Sequence, residues 1–134
     1  MTDDPPSFDD VNTGRMAGIG LAGADLRGQD LRGRKLDGAT LDGANLDGAD
    51  LRETKLDSIT AKDASFVSAK MNWADLSHAE LTNADFSRAV LLMANLHNVK
   101  DDGAMWSSAI RTGSKGTDMV RLEDEAFNPA HRAR

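Results

Sequence analysis

The chain repeats every five residues from Ile19 to Gly113 without an insertion or a deletion. Nineteen blocks fall in one frame, from IGLAG and ADLRG through ITAKD, ASFVS and AKMNW to AMWSS and AIRTG. A period of five fits neither common regular element. On a helix, steps of five advance about 500°, so the residues at the third position would spiral around every side. On a straight strand, an odd period sends successive members to opposite faces. The third positions share one direction only if the chain turns a corner once per block. A chain that turns repeatedly in one sense coils, and its backbone groups pair with the coils above and below at about 4.8 Å. The period predicts a solenoid.

The third position carries Leu21, Leu26, Leu31, Leu36, Leu41, Leu46, Leu51, Leu56, Ala61, Phe66, Met71, Leu76, Leu81, Phe86, Leu91, Leu96 and Trp106. It is polar only at Asp101 and Arg111. The first position is Ala in thirteen of the nineteen blocks, as expected if it points inward beside a large residue where a narrow interior admits little more than a methyl group. The other positions are mostly Asp, Asn, Lys, Arg, Ser, Thr and Gly, as on an outer surface. Gly23, Gly28, Gly33, Gly38, Gly43 and Gly48 recur at the fifth position, where a tight turn favours φ > 0.

Tandem blocks of the form A(D/N)LXX resemble the pentapeptide-repeat family. That resemblance implies an all-β fold, a right-handed quadrilateral β-helix (solenoid) of about five coils with four blocks per coil. Residues twenty apart would then stack. The inward ladders become Leu21/Leu41/Ala61/Leu81, Leu26/Leu46/Phe66/Phe86/Trp106, Leu31/Leu51/Met71/Leu91 and Leu36/Leu56/Leu76/Leu96. The aromatic members fall on one ladder, where they stack instead of colliding across the core.

Three segments follow. Residues 1–18 form a flexible acidic leader and N-terminal edge, with four Asp and a Pro pair among the first thirteen. Residues 19–113 form the repeat, and residues 114–134 a capping or dimerising segment. In the last, Met119, Leu122 and Ala126 have helical spacing and predict a short C-terminal helix over Asp118–Phe127, stopping before Pro129. The net charge is −6 and there is no cysteine, which excludes a disulfide framework or a thiolate metal site. Residues 1–18 lack the apolar run of a signal peptide, and no stretch is apolar enough to span a bilayer. A cytoplasmic protein is expected, or an effector exported by another route. The GxGxxG at Gly18–Gly23 lacks the strand and helix that a dinucleotide site needs and reads as turn glycines. Gln29 and Arg34, at inward positions of the first coil, are tolerable because a rod end lets them reach water.

The outer positions suggest function. Asp30 and Asp50 should stack beside Arg32 and Arg52, and Lys35 and Lys55 beside Asp37 and Asp57, as solvated ladders. Family members that bind DNA gyrase as DNA mimics make such charges worth weighing. Residues 19–113 hold fourteen acids against eleven bases, less one-sided than a phosphate mimic should be. On the third side, Trp73, Val90, Leu92, Met93 and Ile110 occupy outward positions, with Val67 and Met105 on the adjoining side. Apolar residues on neighbouring rungs form a patch that wants a cover: the C-terminal segment, a second copy or another protein. His78 and His97, with Asp75 nearby, are two imidazoles on neighbouring coils, but no third strong ligand completes a metal site. Asp101 and Arg111 lie on opposite sides of the last coil, placed to pair or to meet a cap.

A leucine-filled interior leaves no ligand-sized cleft, and no nucleophile–base pair or phosphate loop is recognisable. The expectation is a non-enzymatic scaffold without cofactor or metal. It presents a rigid surface, with Trp73, Val90, Leu92, Met93 and Ile110 as contact residues for another protein or for a homodimer partner, and makes no direct contact with nucleic acid. The alternatives are a DNA mimic directed at gyrase or topoisomerase, and an adaptor in a secretion or effector assembly.

Overall fold

A computed structural model describes residues 18–116. The leader over residues 1–13 and the helix expected at Asp118–Phe127 lie outside the described residues.

The five-residue period produces a coil of twenty residues. Parallel bridges join Gly20 to Thr40, Thr40 to Thr60 and Thr60 to Glu80, and the same offset joins Asp30, Asp50, Lys70, Val90 and Ile110 in turn. Each coil therefore holds four blocks and four sides. Strand-type pairing is brief on every side: single bridges nearly throughout, plus β1 (Asn95–Leu96) paired in parallel with β2 (Lys115–Gly116). No helix occurs among the described residues. The coil runs past Gly113, because Lys115 pairs with Asn95 in the same register.

Backbone satisfaction explains why so little strand suffices. Leu31 N–H donates to the Asp50 carbonyl at 2.8 Å, and Asp50 N–H donates to the Gln29 carbonyl at 2.9 Å. At the corner the Gly33 N–H donates to the Arg52 carbonyl at 3.1 Å, while within the coil Arg34 N–H donates to the Leu31 carbonyl, also at 3.1 Å. The pattern recurs block after block, so nearly every polar backbone group inside the stack finds a partner without extended strands.

The corner residue is left-handed whatever its side chain. Besides the glycines, Glu53, Ser58, Asp63, Ser68, Trp73, His78, Asn83, Arg88, Met93, Asn98 and Ser108 all have φ between 59° and 63°. The expectation of fifth-position glycines captured the early coils; the later coils impose the same conformation on residues that resist it. A second device stabilises the turn. At all seven second positions occupied by Asp or Asn, the side-chain oxygen accepts the N–H two residues on, as Asn45 Oδ1 does from Asp47 N–H at 3.0 Å. These residues are local turn staples as well as outer surface.

The inward columns form as the twenty-residue stack requires. Every leucine of the repeat from Leu21 to Leu96 at the third position is fully buried. Phe66 and Phe86 stack at 4.6 Å between ring centroids, and Phe86 and Trp106 at 4.5 Å, with near-parallel planes. Two departures from the small–large rule have physical answers. In the ITAKD block the bulky residue moves to the first position and the small one to the third, and both Ile59 and Ala61 are fully buried, so volume is exchanged within the block. Thr54 is buried where Ala is usual, and its hydroxyl donates to the Leu31 carbonyl at 3.1 Å. Gln29 and Arg34 are half-buried at the first coil.

At the far end, Asp101 and Arg111 both turn on Trp106. The indole N–H donates to Asp101 Oδ2 at 3.1 Å, and the Arg111 guanidinium lies 4.5 Å from the ring centroid. A charged residue thus replaces leucine on each flank where the aromatic column ends, and the indole meets one with its edge and the other with its face.

Candidate interaction surface

The third side changes character along the rod. Its second-position column reads Asp30, Asp50, Lys70, Val90, Ile110, bridged in that order. Its fourth-position column is Arg32, Arg52, Asn72, Leu92, Thr112, and its corner column is Gly33, Glu53, Trp73, Met93, Gly113. The side is charged in the first two coils and apolar in the last two, with Trp73 at the changeover.

The charged half is internally paired. Arg32 binds Asp30 through Nε and Nη2, both at 2.9 Å, and Arg52 binds Asp50 at 2.8 and 2.6 Å, while on the adjoining second side Arg27 binds Asp25 in the same way, both at 2.8 Å. Arg32 also reaches Asp50 at 3.8 Å, linking two coils. Hydrogen bonds from Arg27 and Arg32 hold Asp25 and Asp30 down to about 2, and Arg52 likewise lowers Asp50 against a smaller opposing effect of burial. The expected pairs Asp30/Arg32 and Asp50/Arg52 are present, and Lys55 lies 3.8 Å from Asp57.

Trp73, Met93 and Ile110 project into solvent at 58%, 52% and 47% exposure, whereas Val90 and Leu92 are half-buried beneath them. All five expected contact residues therefore lie on one side, three as projections and two as the floor. Met93 is seated by sequence twenty residues away: its sulfur occupies the space that a Cβ on Gly113 would take. Met105 is 48% exposed on the second side, and Val67 is half-buried there.

A groove of about 490 Å³ adjoins the strip, lined by Asp30, Arg32, Arg34, Arg52, Glu53, Asn72 and Trp73 among others. It is open, and Trp73 is its only large apolar wall. The outward arginines and Trp73 were separable in the linear sequence; only the twenty-residue stack shows that they flank one depression. His78 and His97 meet edge to face at 5.5 Å, and Asn98 Nδ2 lies 3.5 Å from His78 Nδ1. Among the described residues no three His, Cys, Asp or Glu side chains converge as metal ligands. None of the described helices is long and apolar enough to cross a membrane, since there are none.

Comparison with known proteins agrees with this geometry. No curated protein matches the sequence. Among solved structures, a pentapeptide repeat protein from the Arabidopsis thaliana thylakoid lumen is 38% identical, with TM-score 0.64, over 66% of this chain and 62% of its own. A trypsin-treated variant of QnrB1, a plasmid-mediated fluoroquinolone resistance protein, is 21% identical, with TM-score 0.51, over 82% of this chain and 64% of its own. The chain thus spans less than two thirds of either relative's length. The family model for pentapeptide repeats matches eight copies over residues 21–57 and 64–100. With more than half of its length matched in the frame that its own hydrogen bonds follow, the chain belongs to the pentapeptide repeat family.

Proposed function

We propose that the chain is a non-enzymatic scaffold, folded as the family's right-handed quadrilateral β-helix, whose third side binds another protein through Trp73, Met93 and Ile110 over a floor of Val90 and Leu92. One observation carries this. Trp73 and Met93 occupy left-handed corners on successive coils, at φ of 60°, and both remain largely in water. A bulky side chain is unfavourable in that conformation, and an exposed apolar one gains nothing from the fold in return. Every corner shares that backbone, so what sets these two apart is that large apolar side chains stay exposed on adjacent rungs, the pattern of a surface kept for contact. The filled interior and the absence of converging nucleophile, base or metal ligands among the described residues favour binding over catalysis.

The test is binding of purified components. A partner isolated with the wild-type rod should lose at least tenfold in affinity, about 1.4 kcal/mol, for Trp73→Asp/Leu92→Asp. A partner that binds the double variant equally well removes the third side from the contact. Light scattering on both proteins distinguishes a homodimer, which the double variant would dissociate.

A DNA mimic acting on gyrase is the second possibility, suggested by the backbone likeness to QnrB1, which at this identity speaks for fold alone. Against it, Asp25, Asp30 and Asp50 are each neutralised by a bidentate arginine, whereas a phosphate mimic needs carboxylates that face its target uncompensated. Supercoiling by gyrase that is unchanged at high protein excess would exclude it. An adaptor role in a larger assembly would use the same strip.

A further inference from the structure

We propose that the partner of the third side is a second copy of this chain, packed side by side in parallel and in register. This names an occupant for the contact strip proposed above and rests on that reading. The second- and fourth-position columns of the side carry it. A two-fold axis parallel to the rod keeps every coil at its own height and exchanges left for right across the face. The second-position column of one copy then meets the fourth-position column of the other.

In that register Asp30 faces Arg32 of the other copy and Asp50 faces Arg52, each twice over by symmetry. Two coils further on, Val90 faces Leu92. No rung of the two columns sets like charges together or a carboxylate against an apolar residue. The guanidinium groups have donors to spare. Their bonds within the chain use Nε and Nη2, which leaves Nη1 of Arg32 and Arg52 without a hydrogen-bonded carboxylate among the described residues. A two-fold axis across the rod reverses the order of coils instead. Lys70 would then face Lys70, while Asp50 and Arg52 would fall on Val90 and Leu92, and charges would be buried against apolar surface. Staggering such a pair to overlap only the last two coils avoids that conflict but discards the charged half of the face. In the parallel pair the exposed corner residues Trp73 and Met93 overhang the other copy's preceding corner, where Ser68 and Arg88 stand. A face about 20 Å tall and about 10 Å wide is small for a protein contact, so association in the micromolar range is expected.

Sedimentation velocity of the full chain, from micromolar to near-millimolar concentration, tests this with two charge-block variants. Asp30→Arg/Asp50→Arg makes both columns basic in the first two coils, and Arg32→Asp/Arg52→Asp makes them acidic. The repeat accepts either change, because Lys35 and Lys55 already stand at the second position of neighbouring blocks and Asp37 and Asp57 at the fourth. Each variant alone should self-associate at least tenfold more weakly than wild type, and an equimolar mixture should recover. Both remain net negative, since the wild-type charge is −6 and each block changes it by four, so generic attraction cannot produce the recovery. The basic variant carries less net charge than wild type, so its loss cannot be generic repulsion either. A wild-type chain that stays monomeric throughout overturns the proposal, as do variants that associate like wild type or a mixture that fails to recover. Trp73→Asp/Leu92→Asp then separates the two readings: if it loses a purified partner, or a dimer indifferent to the charge blocks, the third side remains the contact face in another arrangement.

Discussion

The left-handed corner makes a prediction in which the sign alone decides. Gly43 has φ of +70°, and nothing lies within 4 Å of where its Cβ would be, so Gly43→Ala introduces no clash. Two effects remain. Alanine restricts the unfolded chain, which favours folding by about 0.4–1 kcal/mol wherever the native backbone suits it. In the left-handed region, alanine's Cβ crowds the carbonyl oxygen and costs about 1–2 kcal/mol. The balance is a net loss of about 1 kcal/mol. For a rod of this size that is about 4–8 °C in Tm. Urea unfolding followed by circular dichroism should show a lower midpoint at unchanged slope. The reciprocal change, Ser68→Gly at φ of 60°, should be neutral or slightly stabilising because it relieves the same crowding. Were Gly43→Ala to stabilise the protein by 0.4–1 kcal/mol, the value for a compatible backbone, the corner would not be left-handed and the account of the repeat would fail.

Other outcomes follow from the columns and the charge ladder. Phe86 has an aromatic ring on both faces and Phe66 on one, so Phe86→Leu should cost about 0.5–1.5 kcal/mol more than Phe66→Leu in the same urea assay; equal losses would mean the stacking contributes nothing beyond burial. Ile59→Ala should cost about 2–5 kcal/mol, and adding Ala61→Leu should recover much of it, because the pair then returns to the regular small–large order; no recovery would show that the volume exchange is not local. Asp25, Asp30 and Asp50 are held below their usual value, so their contribution is complete above about pH 4 and lost as the pH falls toward 2. Since these pairs are largely exposed, the effect should be small and should shrink further in molar salt, as followed by urea midpoints between pH 5 and pH 2.

How much of this was legible beforehand depends on the range of the forces involved. The period of five, read on Leu21, Leu26 and their successors, already excluded helix and straight strand, and with the family's four blocks per coil it placed Phe66, Phe86 and Trp106 on one column, where the rings are found stacked. That much is local: backbone geometry and the need to turn once per block act within a few residues. The pairing of Asp30 with Arg32 was legible for the same reason, being two residues apart.

Other features depend on residues brought together only by coiling. The corner imposes left-handed φ on Trp73 and Met93, although their own preference is against it, because the hydrogen bonds to Leu92 and Thr112 on the next coil set the backbone there. Gly113 makes room for Met93, Ala61 for Ile59 within its block, and Asp101 and Arg111 share one indole although nothing in their local sequence names it. A five-residue rule determines which way each side chain faces; what it faces is decided twenty residues away, by the neighbour in the next turn of the coil.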